Sequence, residues 1–374
     1  MIKSEIIKGQ KSWVLETKNI KLCLTEKGGH MAPVIFMKDS DKPIEPFYVN
    51  PWAEEDLNLK DDPDVLTPLR GDFFCLPFGG DNSWNGESHP AHGETAGSIW
   101  TFIPDEREDL ITLKIDTTSR KGSVLKKIKI IEGENNLYIS HKIDGFQGPA
   151  SLGHHATFSG DSKKIISTSS IQFGYTNKYD SSQYNSGEYY SLASLEKFKS
   201  LEKVPTIWRK NEFTDCSVFP AREGFVDILQ VFNKPMENFA WSAVVVPEEG
   251  YLWFSLKDSE ILPSTVLWME NRGRHQLPWN GRNCCIGVED VCSSFADGLS
   301  VSAENNFLNN EGIKTYHQIK ENEKLSVNYI QGVARIPDGF DRVRNITKKD
   351  DGIELISYSG IKVYTKVDTG FIHS

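Results

Sequence analysis

The chain lacks the features by which many proteins can be assigned quickly. No apolar run approaches the length needed to span a bilayer. The opening stretch, MIKSEIIKGQKSWVLETKNIKLCLTEKGG, has no apolar segment followed by a small-residue cleavage site. A cytoplasmic protein is therefore expected. Cysteine is sparse, with Cys23, Cys75, Cys216, Cys284, Cys285 and Cys292 scattered and no CxxC spacing among them. Neighbours on one strand point to opposite faces, so Cys284 and Cys285 make poor partners, and neither a disulfide framework nor a zinc site is indicated. There is no basic stripe, and 42 Lys and Arg against 52 Asp and Glu leave a net charge of −10. That balance argues against nucleic acid and anionic membrane as partners. No GxGxxG, Walker-type loop or GxSxG elbow occurs, so a doubly wound nucleotide-binding fold and a serine hydrolase both lose their sequence support.

What the chain does have is alternation. Ile20, Leu22 and Leu24 fall on one face before the Gly28-Gly29 turn and the run from Met31 to Phe36. Val124 to Ile131 and Leu137 to Ile143 flank a Gly/Asn loop and read as a hairpin. WSAVVVP and YLWFSL, joined by Glu248-Glu249-Gly250, read as another, and LSVNYIQGV and IELISYSGIKVYTKV continue the pattern. Helical spacing is confined to Leu195–Leu201. The polar, tyrosine-bearing stretch from Thr176 to Ser191 reads as an ordered surface loop. Many strands, with turn signals about every ten residues and no interleaved helices, predict an all-β antiparallel sandwich or barrel. With 38% hydrophobic residues to fill a core and no repeat or low-complexity linker, residues 1–374 are expected to fold as one domain.

Ionisable residues gather in three places. LRGDFFCLPFGGDNSWNGESHPAHGETAGSIW, from Leu69 to Trp100, holds Arg70, Asp72, His89, His92 and Glu94 among glycines and aromatics, the make-up of a pocket-building loop. His89, His92 and Glu94 do not have zincin spacing, and no metal or other cofactor is expected. SLGHHATFSG carries His154 and His155 on a strand-like segment. One of the two suits proton transfer near neutrality; equally, the pair fits opposite strand faces, one solvated and one hydrogen-bonded in the core. WMENRGRHQLPWNGRNCCIGVEDVCSSFADG, from Trp268 to Gly298, sets Trp268, Arg274, Trp279 and Glu289 close together. Rings that stack on a sugar face, with guanidinium and carboxylate groups for its hydroxyls, make a carbohydrate surface. An ordinary Arg-Trp surface cluster has the same composition.

Taken in order, these segments resemble the aldose 1-epimerase (galactose mutarotase-like) superfamily, over nearly the whole chain. VLTPLRGDFFCLPFGG is similar to the family segment whose arginine enters the sugar pocket, which implies Arg70. HPAHGETAGSIW is similar to its His-Gly segment and implies His92. GHHATFSG resembles its Asn-His-x-Tyr-Phe strand and registers His155 on the catalytic histidine, with His154 beside it. CCIGVEDV resembles its Gly-x-x-Leu-Glu strand and registers Glu289 on the catalytic glutamate. His154 and Thr157 stand where the family has Asn and Tyr, and the family's mid-chain aspartate has no counterpart, so galactose itself is not implied as the sugar.

The resemblance implies a large antiparallel β-supersandwich and an isomerase that interconverts the α and β anomers of a monosaccharide or sugar derivative without a cofactor. Glu289, ionised, would take the proton of the anomeric hydroxyl while His155, protonated, donates to the ring oxygen. Arg70, His92, His154, Trp268, Arg274 and Trp279 would bind the substrate, the two tryptophans as stacking walls. Asp290, on the strand face opposite Glu289, is expected to be structural. Rival functions are a non-catalytic sugar-binding or sensing protein on the same fold and, behind it, a polysaccharide lyase-like enzyme. A homodimer is left open as the assembly.

Overall fold

Stretches of alternating hydrophobicity build two large antiparallel sheets. One has nine strands, ordered Val218–Phe219, Lys164–Thr168, Ala240–Val246, Tyr251–Lys257, Lys324–Arg335, Asn136–Gly145, Gly122–Ile130, Leu110–Thr117 and Thr101–Ile103. The other has seven, ordered Lys197–Phe198, Ile171–Thr176, Phe225–Asn233, Ser264–Asn271, Cys284–Cys292, Leu152–Ser159 and Phe74–Cys75. The computed structural model describes residues 2–80, 82–180 and 182–374; Ser181, in the tyrosine-bearing loop, lies outside them. Both predicted hairpins are present, with Ile128 opposite Ile139 in the first and Val244 opposite Trp253 in the second. Among the described residues no helix is long and apolar enough to cross a membrane, and all six cysteines are free thiols.

The predicted helix at Leu195–Leu201 is absent. Leu195 sits at a φ of 53° and is exposed, and the chain then forms the two-residue strand Lys197–Phe198 against the Ile171–Thr176 strand. Phe198 and Leu201 are buried, so their spacing reflects two separate anchoring points and not a helical face: tertiary packing overrode a short local pattern.

The inner faces of the two sheets share one core, in which Val244, Trp253, Ile139 and Tyr329 of the nine-stranded sheet join Leu229, Leu267, Val288 and Ala156 of the seven-stranded sheet. The alternate residues of the nine-stranded sheet, including Trp241, Leu252 and Ile330, are covered by the C-terminal sheet of Val343–Lys349, Gly352–Ser357 and Lys362–Lys366. Its Ala240–Val246 and Tyr251–Lys257 strands are therefore buried on both faces.

One polar group ties the sheets together through the core. Asp290, fully buried on the seven-stranded sheet, accepts from Lys257 Nζ (2.6 Å), Ser242 (2.8 Å), Ser255 (2.6 Å) and Tyr329 (2.7 Å) of the facing sheet, and from Thr265 (2.8 Å) on its own. Despite burial, the Lys257 charge and these donors hold its carboxyl below the ordinary value. Asp290 is thus structural, as alternation predicts. Removing one partner of a buried ion pair leaves the other charged and dry, at a cost of about 3–5 kcal/mol. Asp290→Ala is expected to lower stability by about that amount, read from the urea midpoint. The neighbouring Glu289→Gln, on the opposite face, should leave the midpoint unmoved or raise it; equal losses in the two variants would contradict the division of faces.

Candidate active site

Register on the seven-stranded sheet sets its outward-facing residues in two adjacent rows. Val266, Glu289 and His155 lie directly opposite one another on three neighbouring strands. Ile228, Trp268, Gly287 and Thr157 form the next row. Glycine in that second row makes room for the acid: a Cβ at position 287 would fall 2.2 Å from Glu289 Oε1. The carboxyl therefore lies back over Gly287. Nε2 of His155 is 3.2 Å from the same oxygen, in contact but aligned so that Oε1 forms no hydrogen bond. Phe73 stacks on the His155 ring, with centroids 4.5 Å apart and planes within 18°, while Trp268 meets it edge-on at 5.7 Å.

Loops close over this floor. His92 approaches His155 at 5.1 Å between ring centroids, nearly perpendicular. From the segment between the Ser264–Asn271 and Cys284–Cys292 strands come Arg274 and Trp279. The Arg274 guanidinium lies over the rings of Trp268 and Trp279, 5.4 and 5.0 Å from their centroids. Its Nε donates to Glu188 at 3.0 Å, and the backbone N–H groups of Gly273 and Arg274 donate to Glu270. Glu188 belongs to the tyrosine-bearing loop, which is ordered by stacking of Tyr179 on Tyr190 at 4.1 Å. Phe73, His92, His155, Trp268, Arg274, Trp279 and Glu289, together with Val65, Leu69 and Ala296, line a cavity that opens to solvent.

Burial shifts the ionisation of each group. The Glu289 carboxyl is pushed well above the ordinary carboxylate range by desolvation, which the nearby Arg274 charge only partly offsets. The His155 imidazole is pushed well below its usual value, first by burial and then by the positive charge that His92, His30 and Arg274 would place around it. His92 is lowered to about 4, again chiefly by burial. Burial thus disfavours both charged forms of the pair, the carboxylate of Glu289 and the imidazolium of His155. That direction runs against the expected ionised Glu289 and protonated His155; sequence shows the pair but not its dryness.

Six of the eight residues expected from sequence meet at this cavity: Glu289, His155, His92, Trp268, Arg274 and Trp279. Arg70 does not. It is fully buried, with its guanidinium donating to the backbone carbonyls of Pro68, Ile7 and Lys8 at 3.1, 3.1 and 2.9 Å, so it pins the N-terminal hairpin to the core. Three residues on, Phe73 takes the place at the cavity. His154 is also elsewhere: alternation turns it inward, where Nδ1 meets Asp72 at 2.7 Å and the ring stacks on Tyr329 at 4.0 Å. Neither histidine of the pair is solvated. His89 pairs with Glu87, and Glu94 accepts from Thr118 and Ser119, so these two do not converge with His92 on a common point. Sequence reasoning missed Phe73, Glu188 and Glu270, as well as Cys75 and Thr157, whose side chains touch the rings of His92 and His155. Of these, only Phe73 carried a signal, the alternation of Asp72, Phe73 and Phe74.

No protein-family model and no curated protein matches the chain. Solved structures do. A galactose mutarotase-like protein from Clostridium acetobutylicum aligns with a TM-score of 0.59 at 14% identity, over 90% of this chain and 99% of its own. A protein from Klebsiella pneumoniae, assigned provisionally as an aldose 1-epimerase, gives 0.61 at 12%, over 90% and 83%. One from Escherichia coli K12, with the same provisional assignment, gives 0.58 at 13%, over 88% and 100%. The fold is thus the galactose mutarotase-like β-supersandwich, at sequence identities low enough to leave the chemistry to the residues themselves.

Gly287→Ala tests the floor directly. The added methyl group meets the free end of a side chain and not backbone, so the fold should hold while Glu289 Oε1 moves by more than about 1 Å to regain van der Waals distance. A crystal structure of the variant with the carboxyl unmoved would contradict the described packing.

Proposed function

We propose that the chain is an aldose 1-epimerase-like isomerase that interconverts the α and β anomers of a monosaccharide or sugar derivative. The observation that carries this is the Glu289–His155 pair, two proton-transfer groups in contact on the floor of a cavity with tryptophans in its walls. The cavity gathers its aromatic, histidine and carboxyl side chains around one compact floor, which suits one sugar ring better than a polymer, which would need an open cleft. Among the described residues lining the cavity, Arg274 is the one permanent cation. Glu188 already accepts from its Nε, which favours a neutral sugar over a strongly anionic one.

In the proposed reaction the neutral pair works in both directions. His155 Nε2 takes the proton of the anomeric hydroxyl; the C1–O bond to the ring oxygen breaks, its electron pair stays on that oxygen, and Glu289 protonates it. The open-chain aldehyde turns about C1–C2. Closure then uses the Glu289 carboxylate as base and the His155 imidazolium as acid, and the pair returns to its starting state. Trp268 and Trp279 hold the ring, and His92 donates to a ring or hydroxyl oxygen. No step needs a cofactor.

Glu289→Gln is expected to reduce anomer exchange by about 10²–10⁴-fold, followed by polarimetry or by NMR exchange on a panel of free sugars, while sugar binding stays measurable. Full activity in that variant would end the assignment. Binding without exchange in the wild-type protein would favour a sugar sensor, and unsaturated products from polymers alone would favour a lyase.

The pH dependence carries a definite sign. Lowered histidines stay neutral to more acidic pH than usual, and a raised Glu289 stays protonated to more alkaline pH than an ordinary carboxyl. Exchange should be flat across neutrality, falling in acid as the histidines charge and in alkali as Glu289 ionises. A limb centred on an ordinary histidine ionisation near about pH 6.5 would contradict it.

A further inference from the structure

Two side chains just behind the cavity make contacts that the proposed reaction leaves unused. Sγ of Cys75 lies 3.4 Å from Nδ1 of His92, and Oγ1 of Thr157 lies 3.1 Å from Nδ1 of His155. Both are fully buried. We propose that Cys75 and Thr157 fix the tautomers of His92 and His155 in opposite senses, so that the cavity offers an N–H donor at Nε2 of His92 and a bare lone pair at Nε2 of His155. They are positioning residues for the reaction proposed above, on which their functional meaning rests.

The first contact works through a thiol that keeps its proton. Cys75 is shielded on the Phe74–Cys75 strand, opposite Gly153, and burial raises its ionisation well above the usual thiol value. An S–H group donates weakly and its sulfur accepts weakly, whereas an imidazole nitrogen lone pair is a good acceptor. The favoured arrangement is therefore S–H to Nδ1, which leaves the single ring proton of a neutral His92 on Nε2. The backbone holds the two residues together. His92 N–H donates to Gly79 O at 2.7 Å, and Leu76 bridges Gly93. At Gly93, φ is +77° and a Cβ would fall 1.9 Å from Leu76 O, so only glycine permits the approach.

The second contact has the reverse polarity. The Thr157 hydroxyl also reaches the backbone carbonyl of His155, 3.5 Å away, which gives its single proton a destination other than Nδ1 and frees Oγ1 to accept. In that arrangement Nδ1 donates its ring proton to Oγ1 of Thr157, and Nε2, 3.2 Å from Glu289 Oε1, is left with a bare lone pair. One donor and one acceptor, on rings 5.1 Å apart, match a cyclic hemiacetal, in which an accepting ring oxygen and a donating hydroxyl share one carbon. A glycoside, whose anomeric oxygen carries no proton, matches only the donor.

Nitrogen-15 NMR of the histidine rings at neutral pH, without any sugar, tests this independently of turnover. The expected result is Nε2–H for His92 and Nδ1–H for His155. Cys75→Ala should turn His92 into a tautomer mixture and leave His155 unchanged, with the reverse for Thr157→Val; Cys75→Ser and Thr157→Ser should restore the wild-type pattern. Sugar affinity should fall about threefold to tenfold in Cys75→Ala, the worth of one hydrogen bond. The opposite tautomer in the wild-type protein, or unchanged tautomers in both folded deletion variants, would overturn the proposal. If Cys75→Ala does not fold, Cys75→Ser and the wild-type tautomer still decide. Correct tautomers without anomer exchange would sink the proposed reaction and leave this inference standing.

Discussion

The antiparallel register between the Leu152–Ser159 and Cys284–Cys292 strands is the constraint on which the site depends. It sets His155 opposite Glu289 and His154 opposite Asp290, and the two-residue period of a strand then sends one pair to each face of the sheet. A slip of one residue would exchange them, burying the Glu289–His155 pair between the sheets and turning the Asp290–His154 pair outward. The Asp290 network with Lys257, Ser242, Ser255 and Tyr329 makes such a slip costly, because every one of those donors would lose its acceptor inside the core. The Asp290 carboxyl thus holds the register that sets its sequence neighbour Glu289, the carboxyl proposed to react, on the cavity face.

The same packing dictates the chemistry. Phe73, Trp268 and the covering loops remove water from Glu289 and His155, and Arg274 is occupied by Glu188 and the tryptophan faces. A carboxyl and an imidazole so placed are less costly as a neutral pair than as separated charges, since desolvation disfavours both ionised forms. In the proposed isomerisation that neutrality is useful. Ring opening and ring closing are mirror steps, and a pair holding one transferable proton serves each without gaining or losing a proton to solvent.

Much of the fold was legible in the sequence because strand alternation is a local signal. It identified both hairpins, assigned Glu289 and Asp290 to opposite faces, and split His154 from His155. Which histidine met the cavity needed the pairing with Glu289, which the resemblance supplied through two separate motifs. Arg70 was misread because its role is set by carbonyls more than sixty residues away in the N-terminal hairpin, a contact no local pattern encodes. Leu195–Leu201 failed for a related reason: two buried anchors happened to fall at helical spacing. The protonation states, and the parts played by Cys75 and Thr157, depend on desolvation and on contacts behind the sheet, and neither leaves a trace in residue order.

The proposed reaction requires Glu289 to be a carboxylic acid, not a carboxylate, at neutral pH, and burial shifts it in that direction. Infrared difference spectroscopy between the wild-type protein and Glu289→Gln reads it directly. A carboxylic-acid C=O band present at neutral pH in the wild type, missing from the variant, and replaced by carboxylate bands only in alkali is the predicted outcome. A Glu289 signal made of carboxylate bands alone at neutral pH would contradict the account.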